Sequence, residues 1–253
     1  MVRGLDVFRE HFADYSEQYV LIGGTACTLA LENGGLEFRS TNDLDIVLYV
    51  EVLDANFVKS FWTFIKNGKY KNKQKSNGYP QHYRFSEPLD DSFPKMLELF
   101  SRKLDILKLP DDAEITPIPF EDDISSLSAI LLDDEYYRLV QTGKNITAEG
   151  LPVVKLEYLI PLKIYAWIDL REKRIKGERI DSNKIKKHRN DIFRLCQLLD
   201  SVTIIHLEKR VYKDIEKGIR LLEQEEPINL KALGLKDQTF QQVIDMLKKS
   251  YQL

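Results

Sequence analysis

Cysteine is nearly absent from the 253 residues: Cys27 and Cys196 are the only two, far apart and each within an apolar helical pattern. That reads as two buried free thiols rather than a disulfide or metal ligands. The four histidines, at 11, 82, 188 and 206, have no metal-ligand spacing. No apolar run approaches the roughly 18 residues of a membrane span. The first ten residues are polar and charged, without the apolar core of a signal peptide, so the expected compartment is the cytoplasm. There is no large excess of charge either. A formal net charge of -3 argues against general coating of nucleic acid, while a local basic groove would not show in the total. Gly-x-x-x-x-Gly-Lys-Ser/Thr is missing, which removes the P-loop apparatus, and so are Gly-x-Ser-x-Gly and His-Glu-x-x-His.

What is present is a globular composition, 43% apolar and 30% charged, long enough for two domains. The chain is organised around residues 19–49. Tyr19 to Ile22 is an apolar strand that breaks at Gly23-Gly24, and Thr25 to Leu31 reads as the helix that follows. Two glycines turn the backbone with nothing projecting, and the unpaired N–H groups of a first helical turn suit phosphate. Further on, Asp43 and Asp45 open the run Ile46-Val47-Leu48. In a strand, positions i and i+2 share a face, so both carboxylates project together and call for a cation, Mg²⁺ or Mn²⁺ by hardness. Taken singly, a Gly-Gly is also a plain turn and an Asp-x-Asp also a solvated strand start. Taken together, they suggest phosphoryl or nucleotidyl transfer.

The remaining chain supplies further candidates. Arg39, ahead of the aspartates, is placed either to contact phosphate, to brace the carboxylates or to form a surface ion pair. Residues 3–15 and 54–66 have helical apolar periods. Lysines at 66, 69, 71, 73 and 75 make a basic connection, either a solvated hairpin tip or a contact for an RNA backbone. Strands are expected at 81–86 and near 98–100. Lys103 to Leu109 reads as a strand in which Asp105 shares its face with leucines, and such a carboxylate needs compensation. The face carrying Asp43 and Asp45 would provide it, and a capping or edge role is the other reading. Residues 110–123 read as a Pro- and acid-containing turn region, and 127–131 as a weak helical period leading into Tyr136, Tyr137 and Val140. The texture changes near 150. Helices follow at about 155–174, 184–199, 206–224 and 238–250, with Pro161 expected to kink or break the first. The fold class is therefore α+β: a mixed sheet flanked by helices over residues 1–150, then a helical bundle over 151–253.

Gly23-Gly24-Thr25, Asp43-x-Asp45 and Asp105 resemble the metal and triphosphate elements of the polymerase-beta-like nucleotidyltransferase superfamily. Leu-Ile-Gly-Gly-Thr-Ala with Asn-Asp-Leu-Asp-Ile is most similar to the AbiEii/AbiGii toxin-type nucleotidyltransferases. Lys163 in Pro-Leu-Lys-Ile-Tyr-Ala and the stretch Lys187 to Asp191 match that group's helical lysine and Lys-x-Asp elements. The resemblance covers about residues 19–199. It implies an enzyme moving a nucleoside monophosphate from an NTP, ATP or GTP, to an acceptor hydroxyl. Asp43, Asp45 and Asp105 would hold Mg²⁺ or Mn²⁺, and Gly23, Gly24 and Thr25 would cradle phosphates. Lys163 would reach the triphosphate across a cleft completed by the helical domain. Asp191 would orient Lys163 or meet the base or ribose, with Lys187 beside it. A toxin or phage-defence role follows from the same resemblance, with RNA such as a tRNA end as acceptor and a cognate antitoxin as partner. A small acceptor such as an aminoglycoside, and an inactive nucleotide-binding interaction module, are the alternatives.

Overall fold

In this computed structural model the structure describes residues 2–72, 83–103, 115–118, 127–200, 202–225 and 228–253. The elements run α1 (Leu5–His11), β1 (Tyr19–Ile22), α2 (Gly23–Asn33), β2 (Asp43–Leu48), α3 (Ala55–Gly68), β3 (Lys71–Asn72), β4 (Arg84–Ser86), β5 (Met96–Ser101), β6 (Ile115–Ile118) and β7 (Leu127–Leu131). They continue with α4 (Asp134–Thr142), β8 (Lys144–Ile146), β9 (Pro152–Val154), α5 (Leu156–Ile175), α6 (Ser182–Cys196), α7 (Lys209–Glu223) and α8 (Phe240–Ser250). The expected class, a mixed sheet with flanking helices followed by a helical bundle, is what folds.

The chain divides into two compact units: Met1–Leu29 with Arg39–Val154, and Ala30–Phe38 with Lys155–Leu253. The first is built on one sheet with the main order β3-β4-β5-β2-β1-β9-β8. β1 and β2 are antiparallel, whereas β2 and β5 run parallel. The other edge of β5 is shared, with β4 along Met96–Glu98 and β7 along Phe100–Ser101.

Alternation sorts the sheet's faces, since successive side chains in a strand point to opposite sides. Leu44, Ile46 and Leu48 of β2, Leu97 and Leu99 of β5 and Phe85 of β4 are buried in one core with Phe8 and Phe12 near α1 and Phe57, Phe61 and Phe64 of α3. Rings dominate that core. Phe12 lies with its centroid 5.4 to 6.0 Å from those of Phe57, Phe61 and Phe64, within the range of favourable aromatic pairs. α3 is started by Asp54, whose carboxylate accepts from the Phe57 amide at 2.8 Å. The opposite face carries Asp43, Asp45 and Glu98 alongside apolar residues such as Val20 and Val47, both buried.

In the helical unit, α5 runs through Pro161 without breaking into two segments. A proline withholds the N–H that would bond to the carbonyl four residues back, here Glu157. The Tyr251 hydroxyl donates to that carbonyl at 2.7 Å instead. Two expectations are corrected in the sheet. Leu127–Leu131 is a strand, paired with β5 and β6, where a helical period was expected, and Ile115–Ile118 is its antiparallel partner inside the expected turn region. Pairing partners distant in sequence override a weak local period. Cys27 and Cys196 are buried free thiols as expected. Among the described residues no helix is long and apolar enough to cross a membrane.

Candidate active site

The expected glycine turn is the first turn of α2 itself, because the helix begins at Gly23 directly after β1. Gly23 sits at φ +67°, a left-handed conformation that costs side-chain-bearing residues strain. A Cβ there would lie 1.7 Å from Asp45 Oδ2, so glycine is what lets the carboxylate rest against the backbone. At Gly24 a Cβ would meet Thr41 Oγ1 at 2.5 Å and come 3.6 Å from Arg39 Nη2, which puts Arg39 beside the same turn. Arg39 is half-buried and donates to the Ser40 carbonyl at 3.5 Å. Thr25 is fully buried, and its hydroxyl donates to the Asp43 carbonyl at 2.8 Å. Its one proton is spent holding β2 to the start of α2, which differs from the phosphate donor expected from the sequence.

Asp43 and Asp45 project from one face of β2, both half-buried, opposite the ring-filled core. The antiparallel register sets Asp45 across from Ile22, the residue before Gly23. On the other side, parallel pairing sets Asp43 beside Met96 and Asp45 beside Glu98. Laterally paired residues share a face, so Glu98 stands next to Asp45 on the carboxylate side. Glu98 belongs to no motif in the sequence, although Leu97-Glu98-Leu99 carries the same signal as Asp105 does, a carboxylate alternating with leucines. Glu98 is ion-paired through Oε1 with Arg84 Nε, its register partner on β4. Among the described residues, no three His, Cys, Asp or Glu side chains converge tightly enough to hold a metal ion. Asp105 and the lysines at 73 and 75 lie outside the described residues.

The helical unit carries the remaining candidates. Lys163 of α5 is buried with its Nζ 3.4 Å from Oδ2 of Asp191 on α6, whose side chain is wholly buried. Oδ1 of the same carboxylate lies 3.4 Å from Arg194 Nη1. Burying a lysine and an aspartate costs several kcal/mol per ion unless they are paired, and here the sequence brings the two predicted residues together. Lys187 is exposed on α6.

No family model matches the chain, and no curated protein matches it. Among solved structures it is similar to an antigenic nucleotidyltransferase-like protein from Paracoccidioides brasiliensis, at 16% identity over 94% of this chain and 96% of that chain, with a TM-score of 0.47.

Proposed function

We propose that the protein is a metal-dependent nucleotidyltransferase that transfers a nucleoside monophosphate from an NTP to a hydroxyl of RNA. The observation that carries this reading is the lateral register of β2 and β5. It lines up Asp43, Asp45 and Glu98 on one face, with a glycine-started helix packed against the Asp45 carboxylate. The donors fit a hard divalent cation, since carboxylate oxygens are the ligands Mg²⁺ and Mn²⁺ prefer. Asp43 and Asp45 would hold the ion, which when bound neutralises triphosphate charge and polarises the α-phosphorus toward attack.

The chain's own groups would do the rest. The amides at the start of α2 face a phosphate with the positive end of the helix dipole. Thr25 fixes the spacing between that turn and Asp43. Arg39, beside Gly24, adds a guanidinium for a phosphate oxygen. Within the helical unit Lys163 and Asp191 form a buried ion pair, with Lys187 the more exposed cation on α6. In the step itself, the acceptor oxygen forms a bond to the α-phosphorus, the bond to the β-phosphate oxygen breaks, and pyrophosphate leaves. The acceptor's proton passes to a carboxylate of this face. Glu98 is placed for that role once released from Arg84, and Asp105 is the other candidate.

Pyrophosphate release from each NTP, with Mg²⁺ or Mn²⁺ and RNA, tests the reading. D43N and D45N should lower it by about 10²-fold or more while leaving the thermal melt in place, because an amide keeps shape and loses the charge that binds the ion. E98Q against D105N identifies the third carboxylate. Full turnover in D45N sinks the proposal. A toxin or phage-defence setting, with an antitoxin binding this chain, belongs to the same proposal and is checked by co-purification with the product of a neighbouring gene.

A further inference from the structure

Between α5 and α6, within the helical unit, lies a cavity of about 290 Å³ that none of the groups above uses. Its inside is apolar, with Trp167 and Ile185 among the lining residues, and its mouth carries the exposed Ile175 with two cations, Arg174 and Lys186. Both cations are exposed, and neither has a carboxylate within ion-pair distance among the described residues. Arg171 and Arg189 are fixed by Glu225: the first forms an ion pair with its Oε1, and the second donates from Nη1 to Oε2 at 2.7 Å. The Arg171 guanidinium lies 4.9 Å over the Trp167 ring.

Two donors in the wall are unspent. Trp167 Nε1 and Arg189 Nε are buried and have no acceptor among the described residues. A buried donor without a partner is destabilising, and above these residues the cavity suits a ligand that tolerates an apolar wall beside guanidinium groups. Inorganic phosphate does not fit that description, because it leaves the apolar wall uncovered. A nucleobase does: it is flat, it carries carbonyl and ring-nitrogen acceptors on its edge, and bases stack on guanidinium planes layered over aromatic rings.

The charge pattern extends the ligand beyond one nucleotide. Between 171 and 189 the sequence has nine Lys or Arg against three Asp or Glu, in a chain whose net charge is -3. Lys184, Lys186 and Lys187 are all exposed along α6. One phosphate does not need so many cations, whereas a strand with a charge at every nucleotide does. We infer that this cavity is a subsite for single-stranded RNA, taking one unstacked base on the Arg171 guanidinium that covers the Trp167 ring, while flanking phosphates lie on Arg174 and Lys186. The inference rests on the reading of RNA as acceptor, for which it would be a holding site within the helical unit.

The test is binding of a fluorescein-labelled single-stranded oligoribonucleotide by anisotropy across a salt series, in the wild-type chain, R174A/K186A and D45N. The exposed, unpaired positions of Arg174 and Lys186 let the double variant fold, which its thermal melt checks. Two lost phosphate contacts should weaken binding at least about 10-fold at low salt and flatten the salt slope by about 1.4. D45N should bind RNA like the wild type while losing transfer. In a W62F background Trp167 is the sole tryptophan, and RNA should change its emission with the same midpoint. Unchanged affinity in R174A/K186A, or a Trp167 emission blind to RNA, overturns the subsite even where RNA is labelled enzymatically. AMP saturating the Trp167 response without competition from RNA overturns it in favour of a free nucleotide. RNA binding with the Trp167 response but no transfer leaves the subsite standing and removes the transferase reading.

Discussion

Replacing Gly23 by alanine is the sharpest structural perturbation of the carboxylate face. Two costs add. At φ +67° an alanine is strained by about 1–2 kcal/mol relative to glycine. Its Cβ would lie 1.7 Å from Asp45 Oδ2, so the carboxylate must leave its rotamer, at about 0.5–1.5 kcal/mol plus its lost contacts. The sum is about 2–4 kcal/mol. In a D45A background the oxygen is gone and only a 3.0 Å approach to the residue's Cβ remains, which a small shift relieves, so G23A should cost about 1–2 kcal/mol there. Urea unfolding of the four proteins of this cycle reads the coupling directly, expected at about 1–2 kcal/mol. If G23A costs the same in both backgrounds, the contact between the helix start and the Asp45 carboxylate is not what demands glycine, and the site geometry is wrong.

Removing one partner of the buried Lys163–Asp191 pair strands the other, so D191A should lose about 3–5 kcal/mol in urea melts, and K163M/D191L should recover most of it. A D191A protein as stable as wild type would contradict the burial. Y251F deprives the Glu157 carbonyl of its donor beneath Pro161 and should cost about 1–3 kcal/mol. P161A should offset part of that by returning the amide, and no offset would refute the substitution of one donor for another. Burial alone would raise the Glu51 carboxyl, but hydrogen bonds from the Tyr137 hydroxyl and Arg102 outweigh it and hold it below the usual range. Glu51 therefore adds stability above the ordinary carboxylate pKa and loses it as pH falls through its lowered folded value. The melting-temperature gap between wild type and E51Q should be constant near neutrality and close on acidification, and a gap that widens in acid would reverse the assignment.

The bundle was legible because α6 to α8 each present a period of 3.6 that local sequence carries alone, and α5 a long stretch rich in apolar helix formers. Tyr19–Ile22 was legible as an apolar run ended by two glycines, and Asp43–Leu48 by the two-residue spacing of its aspartates ahead of an apolar run. The unbroken course of α5 through Pro161 was not legible because the group that replaces the missing amide, Tyr251, lies 90 residues away in sequence. Leu127–Leu131 misled because its partners on β5 and β6 decide its state. Asp43 and Asp45 advertise themselves by spacing within one strand, whereas the place of Glu98 depends on which strand lies beside β2 and in what register. Thr25 shows the limit of motif reasoning: the residue is where the pattern put it, but its hydroxyl is turned inward to the Asp43 carbonyl. The cavity at Trp167 left only its charge in the sequence, since its unspent donors emerge from packing.

The central claim is transfer of a nucleoside monophosphate by the Asp43 and Asp45 face. The direct measurement is incubation of the purified chain with total RNA, Mg²⁺ or Mn²⁺ and each α-labelled NTP in turn, alongside D45N. Label in RNA from the wild type, absent with D45N and abolished by chelator, is the predicted result. Equal labelling by D45N, or none by the wild type with any of the four nucleotides, would contradict it.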